Sequence, residues 1–197
     1  MDAVDRPHRR RPRPLPHRVR DLRPRAHGQL TPPEPQPSRP TGPASYGFAG
    51  ARGDAGERLP WSEVEGWLGA SRNYWVCTTR PDGRPHAMPV WGLWLEGELW
   101  FSTHPRTVKG RNLAASPEVV VHLESGDEVA IVEGVAEPVR GGETLGRFVD
   151  EYEAKYGYRI DPGERAMGIY SVRPRVVFSW READFPESAT RWRFEEG

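Results

Sequence analysis

The sequence predicts a mainly β chain with a few helices, its strands closing into an antiparallel barrel. Two observations carry this. From Arg72 onward, apolar and polar residues alternate with period two in one segment after another. The segments are joined mostly by tight turns, which suit antiparallel pairing because parallel strands need long crossovers. A sheet of about six long antiparallel strands tends to close on itself.

The elements follow in order. Residues 1–45 hold eleven of the 21 prolines, and runs such as TPPEPQPSRPTGP carry almost no large apolar side chain. Such a stretch cannot bury enough surface to offset its conformational entropy, so 1–45 reads as a disordered or extended basic Pro/Arg-rich tail, either an interaction tail or a nonfunctional extension. The domain is expected to span 46–197, with order beginning near YGFAG or LPWSEVEGWLGAS. In the latter, Ser62 and Glu65 have the spacing of a capping box, and Trp61 can staple onto Val64, Trp67 and Leu68. RNYWVCTT is a strand, with Tyr74, Val76 and Thr78 on one face and Trp75, Cys77 and Thr79 on the other. RPDGR is turn chemistry. RPHAMPVWGLWL returns, EGE turns again, and LWFST is a third strand. A short helix is expected from Pro105 to Ala115, because proline suits a first helical turn. EVVVHLE, the turn SGDE and VAIVEGVAEPV come next, then a helix from Glu143 to Tyr156. MGIYSVRPRVVFSW and ATRWRF close the chain.

The formal net charge is zero, but it is unevenly distributed. Residues 1–58 carry 12 Lys/Arg against 6 Asp/Glu, and residues 59–197 carry 16 against 22, so the two parts stand at about +6 and about −6. The acidic body argues against nucleic acid as the main partner, since that needs a basic face. Cys77 is the only cysteine, which rules out an intrachain disulfide and fits a reducing compartment. Mid-strand, it reads as a small buried hydrophobe. No apolar run approaches the roughly 18 residues of a membrane span. The N-terminal arginines lack an apolar core segment and are too proline-rich for an amphipathic targeting helix. A cytoplasmic protein is expected.

Two places invite a ligand. In the returning strand, Pro85 and Pro89 are four apart, so both remove backbone donors from one edge. This is either a plain edge strand or an edge against which something flat lies, with Met88, Val90, Trp91 and Gly92 as the wall. In WFSTHPRTVKGRNLAASP, hydroxyls and cations gather where a strand hands over to a helix. Ser102 and Thr103 can donate from the strand end, Arg106 and Lys109 share a helix face, and a helix N-terminus favours an anion. That is either a phosphate cradle or a solvated basic face. No Ser/His/Asp or metal-ligand set demands another chemistry: His86, His104 and His122 are scattered, and no metal is expected.

The run RPDGRPHAMPVWGLWLEGELWFSTHPRTVKGRNLAASPEVVVHLE resembles the pyridoxamine 5′-phosphate oxidase-like split barrels that bind flavin, most specifically in DGRPHAMPVW and FSTHPRTVKGRNL. The resemblance, over roughly residues 60 to 195, implies a six-stranded Greek-key split barrel and a homodimer. It implies flavin mononucleotide (FMN) or the deazaflavin coenzyme F420 in a groove between subunits. It places the ring against Ala87, Met88, Pro89, Val90 and Trp91, and the phosphate near Ser102, Thr103, Thr107 and Lys109, with Asn112 in the same motif. Val108 stands where flavin-only members commonly have arginine, which leaves room for F420. The end RWRFEEG departs from the substrate-binding tail of the true pyridoxamine phosphate oxidases. The expected function is hydride transfer between bound F420 or FMN and a small organic substrate. The alternatives are a non-enzymatic cofactor carrier and a haem-binding relative.

Overall fold

The alternating segments pair into one sheet. The computed structural model describes residues 34–42, 58–163 and 167–195. In chain order these contain β1 (Gln36–Ser38), α1 (Trp61–Ala70), β2 (Asn73–Thr79), β3 (Pro85–Leu95), β4 (Glu98–Thr103), α2 (Val108–Ala115), β5 (Glu118–His122), β6 (Glu128–Val139), α3 (Glu143–Tyr156), β7 (Gly168–Arg181) and β8 (Thr190–Arg193). The sheet order is β1-β8-β7-β4-β3-β2-β5-β6, and β6 pairs again with β7. Strands β2 to β7 therefore form a closed six-stranded antiparallel barrel, with β8 and β1 extending from β7. β2, β3 and β4 form a meander, and β5 returns to pair with β2, which is a Greek-key return. The long β6–β7 pair bends at a register shift at Glu133/Gly134, where a side-chain Cβ on Gly134 would sit 2.3 Å from the Arg173 carbonyl oxygen.

The period-two reading sorts residues to their faces. Tyr74, Val76 and Thr78 point inward and are buried, while Trp75 and Cys77 are half-exposed outside. Cys77 is thus not the fully buried hydrophobe expected. Inside the barrel, Tyr74, Val76, Phe101, Val132, Val172 and Trp192 form the main core, and α1 adds Trp61, Val64 and Leu68 at one end. A second core lies beneath α3, where Phe148, Val149 and Tyr152 pack on Leu93, Trp100 and Ile169. Gly142 and Gly157, both at positive φ, bound α3.

Three local expectations are corrected. α1 begins two residues early: Trp61 is its first residue, Pro60 is its cap, and no side chain caps it. Trp61 is drawn into the core against Trp192, at 5.3 Å between rings. Glu65 accepts a hydrogen bond from Trp94 Nε1 at 3.1 Å rather than closing a capping box with Ser62. α2 begins at Val108, with Pro105 in the preceding turn and Thr107 as the cap. Finally, part of the tail is ordered. Gln36–Ser38 pairs with β8, and Ser38 Oγ donates to the Arg191 carbonyl at 3.1 Å. Residues 1–33 and the YGFAG segment lie outside the described residues. Among the described residues no helix is long and apolar enough to cross a membrane.

Candidate ligand-binding cleft

The barrel is split along β3. Residues 85–91 pair with β2 on one side, while pairing with β4 begins only at Gly92 and runs to Leu95. β4 continues past this fork alongside β7, out to Thr103. Exposure changes at the same point: residues 85–91 are exposed or half-exposed, and Gly92 is buried. Pro85 and Pro89 fall in the open half, where a missing donor leaves no ladder bond unmade across the gap.

The fork depends on Gly92. A Cβ there would lie 2.8 Å from the Trp100 carbonyl oxygen, so only a glycine lets the neighbouring strand come this close. α3 then clamps the junction. Gly92 N donates to the Tyr156 hydroxyl at 3.0 Å, and that hydroxyl faces the Gly92 and Arg72 carbonyls at 2.7 Å each. Lys155 Nζ donates to the carbonyls of Ser71 at 2.5 Å and of Gly69 and Gly92 at 3.3 Å, joining the end of α1 to the fork.

The gap between the strands is a cleft of about 390 Å³, lined by Asn73, Pro89, Val90, Trp91, Ser102, Lys109 and Tyr152. Trp91 is 39% exposed and stacks on Tyr156 with ring centres 4.8 Å apart and planes 6° apart. The Arg72 guanidinium lies 5.6 Å from both ring centres. Burial pushes the Tyr152 phenol above its ordinary pKa, partly offset by a hydrogen bond with Ser102. Lys109 is only 8% exposed, and burial holds its ammonium below the usual lysine range. Among the described residues no hydrogen bond or ion pair reaches it.

The cleft brings together Pro89, Val90, Trp91, Ser102 and Lys109 of the residues singled out from the sequence. Ala87 and Met88 lie further along the open half of β3, both exposed. Thr103, Thr107 and Asn112 are occupied within the protein. Thr107 Oγ1 caps α2 by accepting from Gly110 N at 3.0 Å and donates to the His104 carbonyl at 2.8 Å. Thr103 Oγ1 lies 3.1 Å from it. Gly110 lets the helix close on this turn, since a Cβ would meet the His104 and Pro105 carbonyl oxygens at 2.7 and 2.8 Å. Asn112 is buried, and its Nδ2 donates to Thr78 Oγ1 at 2.9 Å, tying α2 to β2. His122 stacks on Trp75 outside the barrel. Asn73, Tyr152 and the Arg72–Tyr156 pair were not foreseen; the four-residue spacing of Tyr152 and Tyr156 on one helix face was the available signal.

The geometry fits a flat ring carrying an anion. The half-strand Pro89–Trp91 offers an apolar wall with an aromatic end, and Lys109, mostly covered and with no acceptor among the described residues, lines the same space. A phosphorylated flavin or deazaflavin has both parts. Among the described residues no group of three or more His, Cys, Asp or Glu could hold a metal ion.

Residues 61–181 match the family model for pyridoxamine 5′-phosphate oxidase. No curated protein matches the chain. Among solved structures, a conserved hypothetical protein from Mycobacterium tuberculosis is 27% identical with a TM-score of 0.56, over 66% of this chain and 90% of that one. A structure described as an F420 reductase is 26% identical with a TM-score of 0.48, over 57% of this chain and 94% of that one. A heme-binding protein from Mycobacterium smegmatis is 20% identical with a TM-score of 0.52, over 62% of this chain and 55% of that one, a likeness of fold alone.

Proposed function

The chain belongs to the pyridoxamine 5′-phosphate oxidase family, and from that premise we propose that it is an oxidoreductase holding FMN or F420 along the open half of β3. The ring lies against Pro89, Val90 and Trp91, and the phosphate meets Lys109. The bound group supplies hydride transfer to or from a small organic substrate. The protein supplies position, a fixed electrostatic environment and exclusion of water.

The observation that carries this reading is Lys109. Lys109 is mostly covered and its surroundings disfavour the charged form, yet its ammonium has no partner among the described residues. An anionic ligand removes that cost through a charge-assisted hydrogen bond. A second copy of the chain completes the groove. Met88 and Trp91 are 48% and 39% exposed, and Trp75, Val120 and Ile131 are half-exposed on the outer face. Such apolar and aromatic surface suits a subunit interface.

The test is an absorption spectrum of the purified full chain, followed by fluorescence titration of the ligand-free protein with FMN and with F420. Saturable binding of either supports the reading, and turnover of a bound reduced cofactor by a small acceptor separates an enzyme from a carrier. A haem Soret band with no binding of either flavin overturns it. Light scattering with cofactor bound should give the mass of a dimer.

A further inference from the structure

Asn112 and Lys109 are three apart on α2 and so share one face. Asn112 donates to Thr78 Oγ1 at 2.9 Å. Thr78 is the cross-strand partner of His86, and its Oγ1 lies 3.5 Å from His86 Nδ1. With Asn112 as donor to Thr78, the threonine hydroxyl is free to donate to His86 Nδ1. In that arrangement the proton of the neutral ring is on Nε2. His86 thus stands near the start of the open half of β3, opposite Thr78 and linked through it to Asn112 on α2.

The surrounding charges are of one sign. Burial, then Arg80 from the β2–β3 turn and Lys109 from α2, hold His86 below the ordinary histidine pKa. Asp82 on that turn is engaged by Arg84, at 3.1 and 2.9 Å. His104, on the turn before α2, accepts from the Arg106 amide at 3.0 Å. No carboxylate acts on His86 among the described residues. Bringing Lys109, Arg80 and an imidazole together without an acid is unfavourable until an anion joins them.

Resting on the reading of Lys109 given above, we propose that His86 completes the phosphate site by donating from Nε2 to the anion that Lys109 pairs with, and that as the anion binds it takes up a proton on Nδ1, which then donates to Thr78 Oγ1. The sign follows from linkage. A bound anion raises the His86 pKa above its lowered free-state value, so affinity for the phosphate-bearing ligand rises as pH falls through that interval. The second ionisation of a phosphate monoester, near pH 6, works in the opposite direction. It is common to parent and variant, so the difference between them isolates His86.

The experiment titrates ligand-free protein by fluorescence with FMN and with riboflavin, which differ only in the phosphate, and with F420, at about pH 8 and about pH 6. The proteins are the parent, His86→Gln and Lys109→Met, each checked by its melting curve. The expected result is tighter binding of the phosphate-bearing ligand by the parent at lower pH, by up to about tenfold per pH unit. His86→Gln keeps an amide donor but cannot take up a proton, so it should flatten this gain. Riboflavin should show no gain. A slope that persists in His86→Gln, or appears equally with riboflavin, overturns the role of His86 and leaves the cofactor reading intact. Failure of every ligand to bind at either pH overturns both. Binding unaffected by Lys109→Met overturns the shared phosphate site.

Discussion

Lys109 and Lys155 are both withdrawn from water, and burial lowers the pKa of both, yet they do opposite things. Lys155, on α3, gives its protons to the carbonyls of Gly69, Ser71 and Gly92. Lys109, on α2, is the more deeply covered and has no acceptor among the described residues. The first is a clamp, which satisfies helix-end carbonyls and a strand fork. The second is a charge waiting for a counter-ion from outside. Burial alone does not distinguish a structural lysine from a binding one; what its donors find does.

Substitution with methionine, which keeps the apolar stem and removes the charge, sharpens the contrast. The largest effect is expected on ligand affinity. Lys109→Met should weaken FMN or F420 binding by roughly ten- to a hundredfold, the loss of about 1.5–3 kcal/mol in a charge-assisted bond. Its melting temperature should stay level or rise, because an unpaired buried charge has gone. An unchanged affinity would reduce Lys109 to a covered surface residue. Lys155→Met should do the reverse, lowering stability by about 2 kcal/mol through orphaned carbonyls at the end of α1 and at the fork. For a domain of this size that is a fall of about 4–8 °C in a melting scan. A melting curve matching the parent would break the comparison from the other side.

The smallest effect is in pH. The folded-state pKa of Lys109 lies below the unfolded value of 10.5. Its unfavourable contribution is therefore absent above that value, grows as pH falls from there toward the folded-state pKa, and is fully present below it. The stability difference between Lys109→Met and the parent should be greatest near neutral pH and shrink as pH rises toward 10.5. A difference independent of pH would mean that the lysine is not strained by burial.

Much of this fold is legible because period-two patterning and short turns are local properties. The strands from Asn73 to Arg181, the helix Glu143–Tyr156 and the blocked edge at Pro85 and Pro89 all follow from neighbours in the chain. What escaped depends on partners far away. Gln36–Ser38 is a strand only because β8 offers an edge more than 150 residues later, and proline-rich composition says nothing of that edge. Ser62 loses the cap because Trp61 is drawn into the barrel, a tertiary gain that outweighs a capping hydroxyl. At the cleft, Lys109 and Trp91 were readable from residue type, but the engagements of Thr103, Thr107 and Asn112 were not. A hydroxyl or amide before a helix suits a ligand or the turn equally, and here the His104 carbonyl, the Gly110 amide and Thr78 are nearer.

The clamp also sets a timetable. Tyr156 reaches Gly92 across 64 residues, and Lys155 reaches Gly69 across 86. As the chain leaves the ribosome, β2, β3 and β4 can pair as a local meander, but Lys155 and Tyr156 cannot tie the end of α1 to the fork until α3 has been made and has docked. The cleft is therefore among the last parts of the molecule to take shape. A nascent chain that has not yet extended through Tyr156 lacks both Tyr152 in its wall and the tie at its junction. Ligand capture during synthesis would mark the moment α3 lands rather than the moment the sheet forms.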